Sequence, residues 1–238
     1  MLGRFLEFSV ATPDIAASFD FYTRLGWAQV PVGDAWPHPY AVLTDGRLHI
    51  GLHAAELDTP QLTFVRPMLL QAVDPLEQLG IAFDVRRLGS DQFNELGWHD
   101  PGGHRLRLLE ARTFSPVQRA TSPSLCGDFL EVALPAAEVD AAKLWWERLG
   151  FVGLDEQEGR LDHVCCMSDT LNVGLYAPQV LATPTLVFEV GALAPLRTRL
   201  ASLGIDPART LPRGLSADDA LRLVAPEGTP LLIYPAPG

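Results

Sequence analysis

From Phe5 to Val10 apolar residues alternate along the chain, placing Leu6, Phe8 and Val10 on one face of an extended segment and Phe5, Glu7 and Ser9 on the other. Beyond Asp14 the period changes. Ile15, Ala16, Phe19, Tyr22 and Leu25 recur at helical spacing and Gly26 follows, which predicts a helix with Asp14 in its cap or first turn and the glycine as its stop. A short extended piece near Trp27–Pro31, a strand at Tyr40–Thr44, a turn at Asp45-Gly46 and a strand at Arg47–His53 complete a βαβββ module. After Thr59-Pro60 the order recurs. A strand at Leu62–Val65 leads to a helix near Leu69–Leu79, stopped by Gly80. Strands follow near Ala82–Arg87 and Leu96–His99, then a turn at Pro101–Gly103 and a last strand at His104–Glu110.

The whole pattern is then repeated. FLEFSVATPDIAASFDFYTRLGW, from Phe5, aligns without a gap on FLEVALPAAEVDAAKLWWERLGF, from Phe129. LTDGRLHIGLH (43–53) matches MSDTLNVGLY (167–176), TPQLTFV (59–65) matches TPTLVFE (183–189), and HDPGGHRLRLLE (99–110) matches VAPEGTPLLIYP (224–235). The chain therefore reads as α+β, four βαβββ modules at 4–53, 61–112, 128–177 and 185–235, paired into domains 1–112 and 125–238. The Ser-, Thr- and Pro-containing segment 113–124 reads as their linker. In each strand one face is aliphatic and needs a helix to cover it. The other face is mixed, and two modules can curl it into a cup where a small molecule would bind.

Composition narrows the function classes. At 238 residues and 47% hydrophobic the chain can bury two cores, and a formal charge of -11 repels a phosphate backbone, so nucleic acid is excluded as a partner. No apolar span is long enough for a membrane and Met1–Val10 carries no leader-like apolar region, so a soluble cytoplasmic protein is expected. Its three cysteines, Cys126, Cys165 and Cys166, have no CxxC spacing and read as reduced, partly buried thiols.

The element order, the PDIAASFDFYTRLGW helix and the HDPGG turn resemble the vicinal oxygen chelate superfamily, which includes glyoxalase I, fosfomycin- and bleomycin-resistance proteins and extradiol dioxygenases. The resemblance implies two glyoxalase-like domains with curved mixed sheets, pairing of the two copies within the chain, and room for a further homodimer. It also implies where a metal would sit, because the family's metal enzymes draw ligands from the concave face of particular strands. Those positions read Glu7, His49, Thr63 and Arg107 in the first copy and Glu131, Asn172, Val187 and Leu232 in the second. A guanidinium has no lone pair to give a cation. The expectation is therefore no metal cofactor, with Glu7 paired to Arg107 inside the first cup. The two-histidine, one-glutamate set of the extradiol dioxygenases is missing from the second copy.

Other residues fill out the candidate site. The run Asp34-Ala-Trp-Pro-His-Pro-Tyr40 reads either as a ligand wall, with Trp36 and Tyr40 facing the cup, or as an apolar lid or interface. Trp98 and His99 fall near the last hairpin and could face the cup mouth. His163 and Cys165 share a strand face opposite Pro39 and Ala41 of the first copy and read as packing residues, as do Trp145 and Trp146. No Ser-His-Asp order or phosphate loop is present. The expected function is metal-independent small-molecule binding of the bleomycin-resistance type. Its cups would be lined by Glu7, His49, His53 and Arg107, and by Glu131, Asn172 and Tyr176. The alternative is a lyase or isomerase using Glu7 and His49 as catalytic residues, with or without a divalent ion, and the first cup is the favoured site.

Overall fold

The computed structural model describes residues 1–32, 36–111, 124–154 and 161–237. The expected linker 113–124, except Ser124, and Asp34 and Ala35 of the aromatic run lie outside them. The first copy runs β1 (Arg4–Ala11), α1 (Ile15–Arg24), β2 (Ala28–Val30), β3 (Tyr40–Thr44), β4 (His49–His53), β5 (Gln61–Arg66), α2 (Leu70–Gln78), β6 (Val85–Arg87), β7 (Glu95–His99) and β8 (Arg105–Glu110). The second runs β9 (Asp128–Pro135), α3 (Val139–Arg148), β10 (Val152–Leu154), β11 (Val164–Met167), β12 (Asn172–Tyr176), β13 (Thr185–Val190), α4 (Leu193–Ser202), β14 (Leu221–Val224) and β15 (Pro230–Pro235). Asp14 caps α1 by accepting from the Ala17 amide at 3.0 Å, and Gly26 closes the helix at a φ of 91°.

Each copy forms one mixed sheet, ordered β2-β3-β4-β1-β5-β8-β7-β6 and β10-β11-β12-β9-β13-β15-β14. The two modules of a copy join where β1 runs antiparallel to β5, and β9 to β13. The fourth module differs from expectation among the described residues, because no strand corresponds to β6. Its segment makes one ladder-like bond, Ala208 N–H to Arg222 O at 2.7 Å, where Pro207 and Pro212 remove donors.

The simple alternation predicted for the first strand is broken by a bulge. Phe5 pairs with Phe64 and Glu7 with Thr63, so Leu6 is the extra residue and Phe5 turns to the helix-covered side with Phe8. Leu130 is the matching extra residue in β9. Glu7, Ser9, Gln61 and Thr63 are thereby left together on the opposite, concave face, all buried.

The helix-covered faces of both sheets merge into one core, from Phe8, Tyr22 and Ile50 of the first copy to Trp146, Val173 and Phe188 of the second. Trp27 meets Phe188 edge-on at 6.2 Å. Polar contacts cross the same boundary in matched fashion. Tyr22 on α1 donates to Glu227 at 2.7 Å, and Trp146 at the matching place on α3 lies near Asp100. The copies are thus packed as one body. Trp98, expected near the cup mouth, lies in this core at 1% exposure, edge-on to Phe83. Its strand alternation puts it opposite Leu106, on the helix side.

Candidate functional site

At the floor of the first cup, β1 presents Glu7, 3% exposed. Its carboxylate is held by neighbours on both sides. Ser9 Oγ donates to Oε1 at 2.8 Å and Tyr40 OH to Oε2 at 2.5 Å, while His53 Nε2 stands 3.4 Å from Oε1. Ser9 is also 3.0 Å from Thr63 Oγ1. Burial, then the charge of Glu7 and the bond to it, push the Tyr40 phenol well up, so it stays a proton donor at neutral pH. The carboxylate lies flat on Gly51 of β4: a Cβ there would fall 2.5 Å from Oε1. Sequence reasoning missed Gly51, although the G-L pairs of HIGLH and NVGLY are aligned in the repeat.

Trp36 and Tyr40 stand together on one side of this cup, with ring centroids 6.3 Å apart. Trp36 stacks against His38 at 5.8 Å between centroids, meets His53 edge-on at 5.5 Å, and carries the Arg107 guanidinium over its ring at 4.3 Å. Arg107 does not pair with Glu7. Its partner is Glu95, a buried carboxylate on neighbouring β7 that also binds Arg87 at 3.0 Å. The hairpin register explains the choice. Gly97 stands opposite Arg107, leaving the diagonal position on the same face to Glu95, two residues away along β7. His49 is half-buried and burial lowers its pKa, against the opposing pull of Glu7, so it is a neutral imidazole near pH 7. His99 lies at one end of this face with Asp58 at 2.7 Å and Asp84 at 3.0 Å.

The second cup keeps a related trio with its parts exchanged. Glu131 accepts from Tyr176 OH at 2.7 Å, and His163 Nε2 stands 3.4 Å from its other oxygen. Tyr176 occupies the place of His53. The register Met167↔Asn172, compared with Thr44↔His49, aligns His163 with Tyr40 and Cys165 with Val42, correcting the Pro39 and Ala41 expected from the sequence. A tyrosine and a histidine thus flank the carboxylate in both cups from opposite strands. Gly174 underlies Glu131 as Gly51 underlies Glu7, with a Cβ distance of 2.4 Å.

The surroundings differ sharply. Where the first cup has Ser9, Thr63, Glu95 and Arg107, the second has Ala133, Val187, Ala220 and Leu232. Those apolar residues join Leu161, Leu181 and Tyr234 in a separate small core, against which Leu211 and Leu215 pack. What remains is a cavity of about 120 Å³ beside Glu131, His163, Cys165, Asn172 and Tyr176. Asn172 donates to the Leu130 carbonyl at 3.0 Å. Cys165 faces this cavity and Cys166 the main core, and all three thiols are buried and form no disulfide.

The four positions from which a family-type metal would draw its ligands in the first cup hold one carboxylate, one imidazole, one hydroxyl and one guanidinium. The carboxylate already takes two hydroxyl donors, and Arg107 brings a cation with no lone pair. This donor set does not fit a divalent ion held in the family's manner. Among the described residues, no three His, Cys, Asp or Glu side chains converge as a metal-binding group.

Comparison with known protein families gives no match, and no curated protein matches the chain. Solved structures do. A catechol 2,3-dioxygenase superposes with a TM-score of 0.62 at 18% identity, over 100% of this chain and 95% of that one. Homoprotocatechuate 2,3-dioxygenase from Brevibacterium fuscum gives 0.66 at 15% identity, over 98% and 71%. BphC, a halotolerant catechol dioxygenase, gives 0.59 at 16% identity, over 98% and 87%. At these identities the likeness is one of fold. This chain has the vicinal oxygen chelate fold, with two paired-module units in tandem, as its sequence pattern implied.

Proposed function

We propose that this protein binds one small polar molecule in its first cup and does so without the metal ion of the family's metal enzymes. The contrast between the cups carries this reading. Both cups keep the carboxylate with its tyrosine and histidine, but four neighbouring concave positions that are polar in the first cup, Ser9, Thr63, Glu95 and Arg107, are aliphatic and packed in the second as Ala133, Val187, Ala220 and Leu232. A concave surface with a few fixed polar groups and an aromatic wall is what recognition of a small molecule needs. A guanidinium already anchored by Glu95 and Trp36 can meet an oxygen-rich ligand without being reorganised.

A thermal-shift screen of small oxygen-rich compounds tests it. Binding should raise the melting temperature of the wild type and of Glu131→Gln but not of Arg107→Met, and elemental analysis of protein purified without a chelating tag should show no stoichiometric metal. Stabilisation that survives in Arg107→Met, or a stoichiometric divalent ion lost on Glu7→Gln, contradicts the reading.

A second reading is favoured by one observation, the neutral imidazole of His49 on the same face as the fixed Glu7 carboxylate. These groups suit cofactor-free acid–base chemistry on a bound molecule, in the manner of a lyase or isomerase. Turnover abolished by both Glu7→Gln and His49→Gln, with binding retained, distinguishes it from simple binding. The dioxygenases of like fold do not lend their ring cleavage to this reading, because the second copy presents Glu131, Val187 and Leu232 rather than a histidine-rich ligand set.

A further inference from the structure

His38 is half-buried in the segment preceding β3, and its Nε2 lies 2.9 Å from Nδ1 of His53. The other nitrogen of His53, Nε2, faces Glu7 Oε1 at 3.4 Å. Three titratable groups are therefore joined end to end, from the aromatic wall to the buried floor. We propose that His38 and His53 form a proton relay connecting the rim of the first cup with the Glu7 carboxylate, a step that rests on this cup being the functional one.

The hydrogen-bond roles follow from the chemistry of each atom. An ionised carboxylate only accepts, so a neutral His53 carries its proton on Nε2 and leaves Nδ1 as an acceptor. His38 then donates from Nε2 and keeps Nδ1 free to take a proton. When hydronium delivers a proton to His38 Nδ1, the Nε2 proton of His38 passes to His53 Nδ1. The Nε2 proton of His53 passes in turn to Glu7 Oε1. One positive charge enters and one carboxylate is neutralised, and both imidazoles end neutral in their opposite tautomers. Running in reverse, the same path empties Glu7 of a proton taken from a bound molecule.

The second cup makes a useful contrast, because its copy of the sequence supplies the trio but no second histidine. There His163 turns Nδ1 to the Leu161 carbonyl at 2.8 Å. A carbonyl can accept a hydrogen bond but cannot pass a proton onward, so the Nδ1 of this imidazole has no counterpart of the path that His38 gives to His53. The groups around His53 favour relay over a fixed ion pair. Tyr40 from β3 donates to Glu7, sharing the carboxylate's charge, with its ring 4.5 Å from that of His53. Arg107 from β8 and Trp36 close the side facing His38. His49, on β4 with His53, acts on Glu7 by its proximity.

Two measurements on the intact protein test this without any ligand, and so independently of whether one is found. In the ¹⁵N-histidine-labelled wild type, a coupling across the His38–His53 hydrogen bond should be detected between Nε2 and Nδ1, and its absence overturns the relay. In pH-jump infrared spectroscopy, the Glu7 carboxyl band, assigned by its loss in Glu7→Gln, should appear at least tenfold more slowly in His38→Gln. His99→Gln, which alters a histidine outside the path, should leave that rate at the wild-type value. An unchanged rate in His38→Gln, or equal slowing in both variants, overturns the proposal.

Discussion

Replacing Gly51 with alanine places a methyl group where the carboxylate of Glu7 lies. The new Cβ would fall 2.5 Å from Oε1, 2.6 Å from Cδ and 2.8 Å from Oε2. Comfortable contact begins at about 3.5 Å, so the carboxylate must move by about 1 Å. With Glu7 at 3% exposure it has no water to move toward. The backbone itself raises no objection. Gly51 is not among the glycines with positive φ, and alanine in a strand interior is intrinsically better than glycine by roughly 0.5–1 kcal/mol.

Against that gain stand the bonds from Ser9 at 2.8 Å and Tyr40 at 2.5 Å. Each is charge-assisted and contributes about 1.5–3 kcal/mol. Loss of one outweighs the alanine gain and leaves a net destabilisation of about 0.5–2.5 kcal/mol. Urea unfolding of Gly51→Ala, Glu7→Ala and the double variant measures the coupling directly. With Glu7 truncated, Gly51→Ala should stabilise the protein, giving a coupling of about 2 kcal/mol. Additivity to within about 0.5 kcal/mol refutes the idea that this glycine exists to seat the carboxylate.

Removing Arg107 as Arg107→Met should destabilise by about 1–3 kcal/mol in urea unfolding, because it leaves the buried Glu95 with only the outward-reaching Arg87. Glu95→Gln in the same background should recover part of that loss. At high pH, Tyr22, Tyr40 and Tyr176 are all held above the ordinary phenol value, chiefly by burial. The folded protein then binds more protons than the unfolded chain above about pH 10, so stability is full below that value. It should fall as pH rises, by up to about 4 kcal/mol per pH unit for three such groups. Absorbance at 295 nm should show most tyrosines ionising only as the fold is lost. Because the two copies share one core, residues 1–111 expressed alone should expose Phe8 and Ile50 and bind a hydrophobic dye, whereas the full chain should not.

The repeat, the module order and the cup were legible because they rest on local signals: strand alternation, helical period, and glycines such as Gly26 at helix ends. Glu7 with Ser9, and His49 with His53, could be placed on one face because a strand's period fixes which side chains share it, whereas Trp36 and Tyr40 stood out only as the aromatics of the run before β3. The misses came where one residue shifts that count or where a partner lies on another strand. The bulge at Leu6 turns Phe5 to the core, against the expected alternation. Arg107 chooses Glu95 over Glu7 because hairpin register decides distance, and that register is readable by counting back from the Pro101–Gly103 turn. Trp98 reads as a rim aromatic only if its strand is not phased against Leu106. The exchange of tyrosine and histidine between the two cups was hidden because a motif alignment compares residues at like positions. Here the same chemistry is supplied from the neighbouring strand.

Native mass spectrometry of the intact chain, incubated with pooled small oxygen-rich compounds, addresses the central assignment most directly. A single adduct should appear on the wild type, persist in Glu131→Gln and disappear in both Glu7→Gln and Arg107→Met, with no mass increment for a bound divalent ion. An adduct that depends on Glu131 and not on Glu7, or one that forms only with a stoichiometric metal, would contradict it.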